Sequence, residues 1–233
     1  RVIDVTDPAD PRLDDLRDLN HSDRRPDLPG GRGLVIAEGT YVVGRMLLSR
    51  FRPHVLLGTD SRLAQLRREA TAEGWDADER AGDAVYLRTS KEVLSAVIGF
   101  RSSRDILAAA ARPAPLEVAQ VVADARTLVV LEGVNDPENL GAIFRNCAAL
   151  GVDGVLFGAS TGDPLYRRVV RVSMGHVLRL PFAHLPGTPT TWQRSLGDLR
   201  ESGFRTVALT PAADTPLRGL TQALKTSGAT KRS

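Results

Sequence analysis

LEGVNDPENLGAIFRNCAALG, residues 131–151, is the stretch that decides the fold of this chain. The apolar residues 127–131 predict a strand that runs into a polar turn at 133–139. Apolar spacing predicts a helix over 140–150. Asn135, Asp136 and Asn139 are all of helix-capping type, and Asn139 directly precedes the predicted helix as a good N-cap. A strand, a polar turn and a helix N-terminus form the usual ligand-binding edge of an open α/β sheet. The stretch therefore predicts a binding site in an α/β protein.

Two further residues of this stretch have distinct expected roles. Gly141 lets a second backbone approach the helix closely because it has no side chain. Arg145 follows Asn139 by six residues, about one and two-thirds turns at roughly 3.6 residues per turn. The two side chains therefore need not point the same way, unless Asn139 is a cap outside the helix.

Composition indicates an ordinary soluble globular chain. Of 233 residues, 42% are apolar and 25% are charged, which allows one large or two modest domains. No run approaches the ~20 apolar residues of a membrane span, and the N-terminus lacks a signal-peptide pattern. The single cysteine, Cys147, excludes internal disulfides and is read as a small core side chain. These features predict a cytoplasmic protein without a membrane partner.

The charge pattern suits an anionic partner. The net charge is +3 and the pI about 9.4, which fits a polyanion such as nucleic acid. Lysines number three, so the other 28 basic residues are arginines. Codon bias explains this as well as phosphate binding does, and composition leaves both explanations open. The four histidines are scattered and no metal-ligand spacing occurs, so no metal site is predicted.

Alternating strands and helices predict two α/β domains joined by a linker. The first spans residues 1–112 and the linker spans 113–121. Thr40 is expected to cap the first long helix, and the alanine-rich run 106–110 fits a helix or a strand. The second domain spans 122–233, with a largely parallel sheet and right-handed crossovers. Its predicted strands are 127–132, 154–158, 177–180 and 204–209, and its predicted helices are 140–150, 165–173 and 191–201.

The opening stretch resembles the first signature motif of the SpoU (TrmH) family, the RNA ribose 2′-O-methyltransferases of the SPOUT superfamily. The matching positions are Asp136, Pro137, Asn139, Gly141, Ala142, Arg145 and Gly151. The similarity continues through DPLY at 163–166, RVSMG at 171–175, Leu-Pro at 180–181 and the segment 205–211. It covers most of residues 28–233, more loosely before Arg126.

The resemblance implies a fold and an activity. The expected fold is a small N-terminal, ribosomal-protein-like α/β RNA-binding domain followed by an open, mostly parallel SPOUT-type domain with a trefoil knot. The implied reaction is S-adenosylmethionine-dependent 2′-O-methylation of a ribose in ribosomal RNA, or alternatively transfer RNA. A homodimer is also implied. The family's glycine-rich and Ser-Leu-Asn motifs, which thread the knot and hold the cofactor, do not occur before Ser233. We therefore expect a domain truncated before the knot, or a longer parent chain, and an incomplete cofactor site.

The resemblance also implies the roles of individual residues. Arg145 is placed beside the 2′-hydroxyl as a catalytic base, or, since a guanidinium does not readily lose its proton, as an electrostatic stabiliser. Asn139 is expected to position the arginine or the ribose. The cofactor's adenosine is expected at Leu209, Thr210 and Pro211.

Several arginines are predicted to bind RNA. Arg167 and Arg171 share one helix face, and a phosphate grip or a solvated face explains them. The predicted RNA-binding residues are Arg167, Arg168, Arg171 and Ser173 in the second domain and Arg24, Arg25 and Arg32 in the first.

Two other functions compete with methyl transfer. A non-catalytic RNA-binding protein of the same fold would share the basic residues without the chemistry. A nucleotide-dependent oxidoreductase is disfavoured because no G-x-G-x-x-G follows a strand.

Overall fold

The computed structural model describes residues 1–20 and 33–210. The chain forms two compact units, Arg1–Gln193 and a second that begins at Arg194. The first unit contains two β-sheets, one built from residues before 112 and one from residues after 127. The predicted boundaries of the RNA-binding domain, the linker and the methyltransferase domain stay predictions, since both sheets lie within this one unit.

The first sheet has five strands in the order β1-β4-β3-β5-β2. The strands are β1 (Val2–Asp4), β2 (Leu34–Glu38), β3 (Pro53–Gly58), β4 (Val85–Arg88) and β5 (Ile106–Ala111). β1, β4 and β3 are parallel, whereas β5 runs antiparallel to β3 and β2. The alanine-rich run is therefore a strand. Its small side chains suit the buried position between two neighbours, a tertiary effect that sequence periodicity does not report.

Helices cover both faces of this sheet. They are α1 (Thr40–Leu47), α2 (Asp60–Ala72), α3 (Ala77–Ala81) and α4 (Lys91–Ile98), with a 3-10 helix at Pro11–Leu16. α1 and α2 share one apolar cluster, and α4 and the 3-10 helix share another. The expectation that Thr40 caps α1 was wrong. Gly39, at φ 90°, takes the N-cap position without a side-chain bond, and Thr40 is buried as the first helical residue.

The second sheet is fully parallel, as its alternating pattern predicted. Its order is β6-β7-β8. The strands are β6 (Leu128–Leu131), β7 (Gly154–Phe157) and β8 (Phe182–His184), and the helices around them are α5 (Val118–Val122), α6 (Pro137–Ala149) and α7 (Arg167–Val172). Phe144, Phe157 and Phe182 pack with ring centroids 5.6–6.1 Å apart. This cluster fixes α6 on the sheet, and the buried Cys147 lies in the same core.

The strand predicted at 177–180 was wrong. Residues His176–Leu178 form a 3-10 helix, and the strand β8 starts only at Phe182. Gly175, at φ 80°, turns the chain so that the following amide groups bond locally, as in Leu178 N–H to Gly175 O at 3.1 Å. Apolar residues at 177, 178 and 180 fit either structure by pattern alone.

The second unit contains α8 (Ser195–Glu201), preceded at the unit boundary by a 3-10 helix at Trp192–Arg194. The strand predicted at 204–209 was wrong for the described chain: residues 204–210 form neither strand nor helix. An apolar extended segment becomes a strand only when a neighbour completes its backbone hydrogen bonds, and the described residues supply no such ladder here.

Candidate functional site

The N-terminus of α6 is set by Asp136 and not by Asn139. Asp136 has extended backbone angles, and its carboxylate accepts a hydrogen bond from the Asn139 amide at 2.8 Å. Pro137 occupies the first helical position, where a missing N–H costs nothing. Asn139 is therefore the third helical residue, and its predicted role as N-cap was wrong. Its side chain is exposed at the first turn.

Arg145 lies on the exposed surface of α6. Because Asn139 and Arg145 are both inside the helix and six residues apart, their side chains leave it roughly 120° apart around the axis. They do not share a face. A joint contact with one small ligand atom is therefore disfavoured, and the two residues are better suited to separate parts of a larger substrate.

Gly141 brings α7 against α6, as the sequence predicted. A Cβ at Gly141 would lie 2.7 Å from Val172 Cβ and 3.1 Å from the Ser173 amide nitrogen. Ser173 itself is fully buried. Its hydroxyl donates to the Val170 carbonyl at 3.0 Å and accepts from the Val177 amide at 3.4 Å. Ser173 thus stabilises the turn after α7, and in this structure it has no surface to offer RNA.

The three arginines of α7 do not form the common surface that was predicted. Arg167 is buried, donates to Glu38 at 2.7 Å, and places its guanidinium 5.3 Å from the centre of the Phe100 ring. Arg168 is exposed and paired with Glu138. Arg171 is partly exposed near the end of the helix. The expected phosphate grip by Arg167 is therefore corrected: this side chain joins α7 to β2 of the first sheet.

The pKa of His176 is affected by the charge of Arg145. Burial lowers the pKa of His176 from its usual 6.5, and the positive charges of Arg45, Arg179 and Arg145 lower it further. The imidazole is therefore harder to protonate than an exposed histidine. Sequence reasoning treated the four histidines as scattered, because these arginines come from three different parts of the chain.

The carboxyl ends of β6 and β7 carry a contact that the sequence did not reveal. Glu132 accepts a hydrogen bond from the Trp192 indole N–H at 2.8 Å, and a Cβ on Gly158 would lie 2.8 Å from that ring. The indole thus packs directly on the Gly158 backbone. The partners are 60 residues apart, so no local pattern could have predicted the contact.

The other predicted site residues lie outside the described residues or in the second unit. Arg24, Arg25, Arg32 and Pro211 lie outside the described residues. Leu209 is 80% exposed, and Thr210 is exposed beside it.

Within residues 1–20 and 33–210, no group of side chains could hold a metal ion. In the same residues no helix has both the length and the apolar character needed to cross a bilayer.

Comparisons with known proteins identify relatives of the chain. The family model described as SpoU rRNA Methylase matches residues 126–229. An uncharacterized tRNA/rRNA methyltransferase of Mycobacterium tuberculosis is 58% identical over 210 residues, which are 90% of this chain and 68% of the relative.

Solved structures with the same fold include known RNA methyltransferases. An AdoMet-bound rRNA methyltransferase from Sinorhizobium meliloti is 26% identical, with a TM-score of 0.59 over 83% of this chain and 69% of that one. An RNA 2′-O ribose methyltransferase gives a TM-score of 0.62 over 91% of this chain and 75% of that one. At 24% identity, the second likeness concerns the fold alone.

Proposed function

Because the chain belongs to the SpoU family of RNA methyltransferases, we propose that it transfers a methyl group from S-adenosylmethionine to a ribose 2′-hydroxyl of RNA. The observation that carries this proposal is the placement of Arg145. It lies exposed on α6, the helix that follows β6 and the motif turn, and α6 is held against α7 by the contact at Gly141. A fixed cation on the surface of a rigid element can hold a polyanionic substrate in one orientation.

Arg145 acts in this proposal as an electrostatic stabiliser. A guanidinium keeps its proton at any physiological pH, so it is a poor base. It can bind the phosphate next to the reacting ribose and stabilise the negative charge that develops on the 2′-oxygen.

S-adenosylmethionine supplies a methyl group on a sulfonium, which leaves as a thioether. Leu209 offers an apolar side chain that is 80% exposed, and within the described chain the backbone of 205–209 forms neither strand nor helix. An adenosine needs such a combination of apolar surface and available backbone groups. We therefore propose that Leu209 and Thr210, with Pro211, hold the adenosine.

The proposed substrate is ribosomal RNA, with transfer RNA as the alternative. Arg171 of the second domain, together with Arg24, Arg25 and Arg32 of the first, is proposed to bind the RNA backbone. The division into an RNA-binding domain at 1–112 and a methyltransferase domain at 122–233 belongs to this proposal, as do the trefoil knot, the homodimer and the cytoplasmic location.

Methyl transfer to RNA transcripts tests the chemistry. The protein is incubated with tritiated S-adenosylmethionine and transcripts of ribosomal RNA domains or transfer RNAs. The labelled RNA is then hydrolysed in alkali. A 2′-O-methyl group removes the nucleophile of alkaline cleavage, so the label should appear in alkali-resistant dinucleotides. Label in mononucleotides would indicate base methylation and would overturn the ribose assignment.

Substitution of Arg145 tests the role of that residue. Arg145→Ala should lower kcat by at least about a hundredfold, the usual loss for a group that stabilises developing charge, with little change in thermal midpoint. Arg145→Lys keeps the charge but loses the two-pronged geometry, and an intermediate rate is expected. Arg68→Ala is the control, because Arg68 is an exposed arginine of α2. Near-parental turnover of Arg145→Ala would refute the assignment, and no transfer by the parent to any RNA would favour a non-catalytic RNA-binding protein.

A further inference from the structure

One face of α1 carries an aromatic ring and a cation side by side. Tyr41 and Arg45 are four residues apart, so they are neighbours on the helix surface. The Tyr41 side chain is 59% exposed, while Arg45 is only partly exposed. A large exposed ring beside an arginine is the arrangement by which proteins stack an unpaired base next to its phosphate.

Arg45 joins this face to the second sheet's layer. Its guanidinium donates a hydrogen bond to the Met174 carbonyl at 2.6 Å. Gly175, at φ 80°, packs on α1 so closely that a Cβ there would lie 3.3 Å from Arg45 Cβ and from Val42 Cα. The 3-10 helix that follows therefore rests on α1, which brings His176 and Arg179 to the same surface.

The surface carries several arginines. Among the described residues, none of Arg45, Arg145 and Arg179 is paired with a carboxylate. Burial and the charge of Arg179 lower the pKa of Arg45, against the opposing effects of Glu73 and Tyr41. Partly buried like charges repel one another, and an anionic ligand would relieve that repulsion.

We propose that Tyr41, Arg45, His176 and Arg179 form a binding surface for a single-stranded RNA segment that leads to Arg145. Tyr41 stacks on an unpaired base, while Arg45 and Arg179 bind the phosphates on either side of it. The inference rests on the proposed function, since the bound segment is the substrate strand. It adds a substrate class: RNA whose target region is a loop, bulge or other unpaired stretch. Base faces within a duplex are covered by their neighbours, so the exposed ring favours single strands.

The surface also explains why two parts of the chain must act together. Tyr41 and Arg45 come from the layer of the first sheet, whereas His176, Arg179 and Arg145 come from the second. The RNA strand thus contacts both layers, and neither isolated part holds the complete surface.

Fluorescence anisotropy with a labelled single-stranded 12-nucleotide RNA tests the proposal on the full protein. Tyr41→Ala should weaken binding by about tenfold, and Tyr41→Phe should bind as the parent does, because stacking needs the ring and not the hydroxyl. Arg45→Ala and Arg179→Ala should each weaken binding and reduce the slope of log affinity against log salt by about one. Arg68→Ala should leave affinity for this RNA unchanged, and a fully paired duplex should bind the parent at least tenfold more weakly.

Three results would overturn the surface: parental affinity in Tyr41→Ala, equal losses in Tyr41→Ala and Tyr41→Phe, or duplex bound as tightly as single strand. Thermal midpoints identify a variant that fails to fold. If Arg45→Ala does not fold, the variants of the exposed residues Tyr41 and Arg179 still test the proposed surface.

The result of the binding test can be distinguished from the result of the methyl-transfer test. Tyr41→Ala should raise KM with kcat little changed, whereas Arg145→Ala should lower kcat. Label found on bases would refute the ribose chemistry and leave the binding result intact.

Discussion

His176 shows how one residue reports on its surroundings. Burial and then Arg45, Arg179 and Arg145 lower its pKa from 6.5, and burial lowers that of His184 against the opposing charge of Asp163. Both imidazoles are harder to protonate in the folded chain than in the unfolded one. Below about pH 6.5 the unfolded state therefore binds more protons, and this contribution to stability is lost as the pH falls through the folded pKa values.

We expect the thermal midpoint to fall between pH 7 and pH 5. This fall should be smaller in His176→Gln than in the parent. Carboxylates whose pKa values are lowered, such as Asp10 at about 2 and Asp153, lose their contribution only at lower pH and do not mask the effect. The midpoints are measured by circular dichroism at constant ionic strength. An unchanged pH profile in His176→Gln would contradict the placement of His176 among the three arginines.

At the scale of elements, the α6–α7 contact depends on a single missing side chain. Gly141→Ala adds a Cβ that would lie 2.7 Å from Val172 Cβ, so we expect a loss of about 1–3 kcal/mol in the free energy of unfolding. Gly44→Ala is the matched control. It is also a helical glycine, in α1, but its Cβ would meet only ordinary contacts at 3.6–3.8 Å on Trp75 and Leu66. Helix propensity then makes it neutral or stabilising, by up to about 1 kcal/mol. Equal effects of the two changes in urea unfolding would refute the close contact.

Element boundaries show what the sequence can and cannot specify. Apolar spacing predicted α6 to within three residues at its start, because Leu140, Phe144 and Cys147 recur at helical intervals and are buried. Asp136 and Asn139 are both good capping residues, and only the hydrogen bond between them shows which one caps. The pattern of residues 177–180 fitted a strand. The positive φ of Gly175 instead starts a 3-10 helix at His176–Leu178. Local pattern predicts an element well where one face is buried, and poorly where a single backbone angle decides.

At the scale of the molecule, long-range contacts decide which arginines remain available to a substrate. Arg167 and Arg168 are neighbours on α7, and the sequence predicted RNA binding for both. Arg167 pairs with Glu38, 129 residues away, whereas Arg168 remains exposed beside Glu138. The strand-turn-helix motif of the site was predictable because it is local. The pairing of α7 with β2, and the surface shared by Arg45 and His176, depend on chain segments that no local pattern relates.

The ion pairs of these two arginines form a matched comparison within one chain. The Glu38–Arg167 pair is buried, with side chains 4% and 10% exposed, while the Glu138–Arg168 pair is 59% and 50% exposed. Arg167→Ala leaves the Glu38 carboxylate buried without its partner and should cost about 3–5 kcal/mol of unfolding free energy. Arg168→Ala should cost far less than Arg167→Ala, since an exposed pair is screened by water. The double variant Glu38→Leu/Arg167→Met removes both charges and should recover much of the loss, because the buried carboxylate is gone. Chemical denaturation measures all three. Similar costs for Arg167→Ala and Arg168→Ala, or no recovery in the double variant, would show that the buried pair does not join α7 to β2.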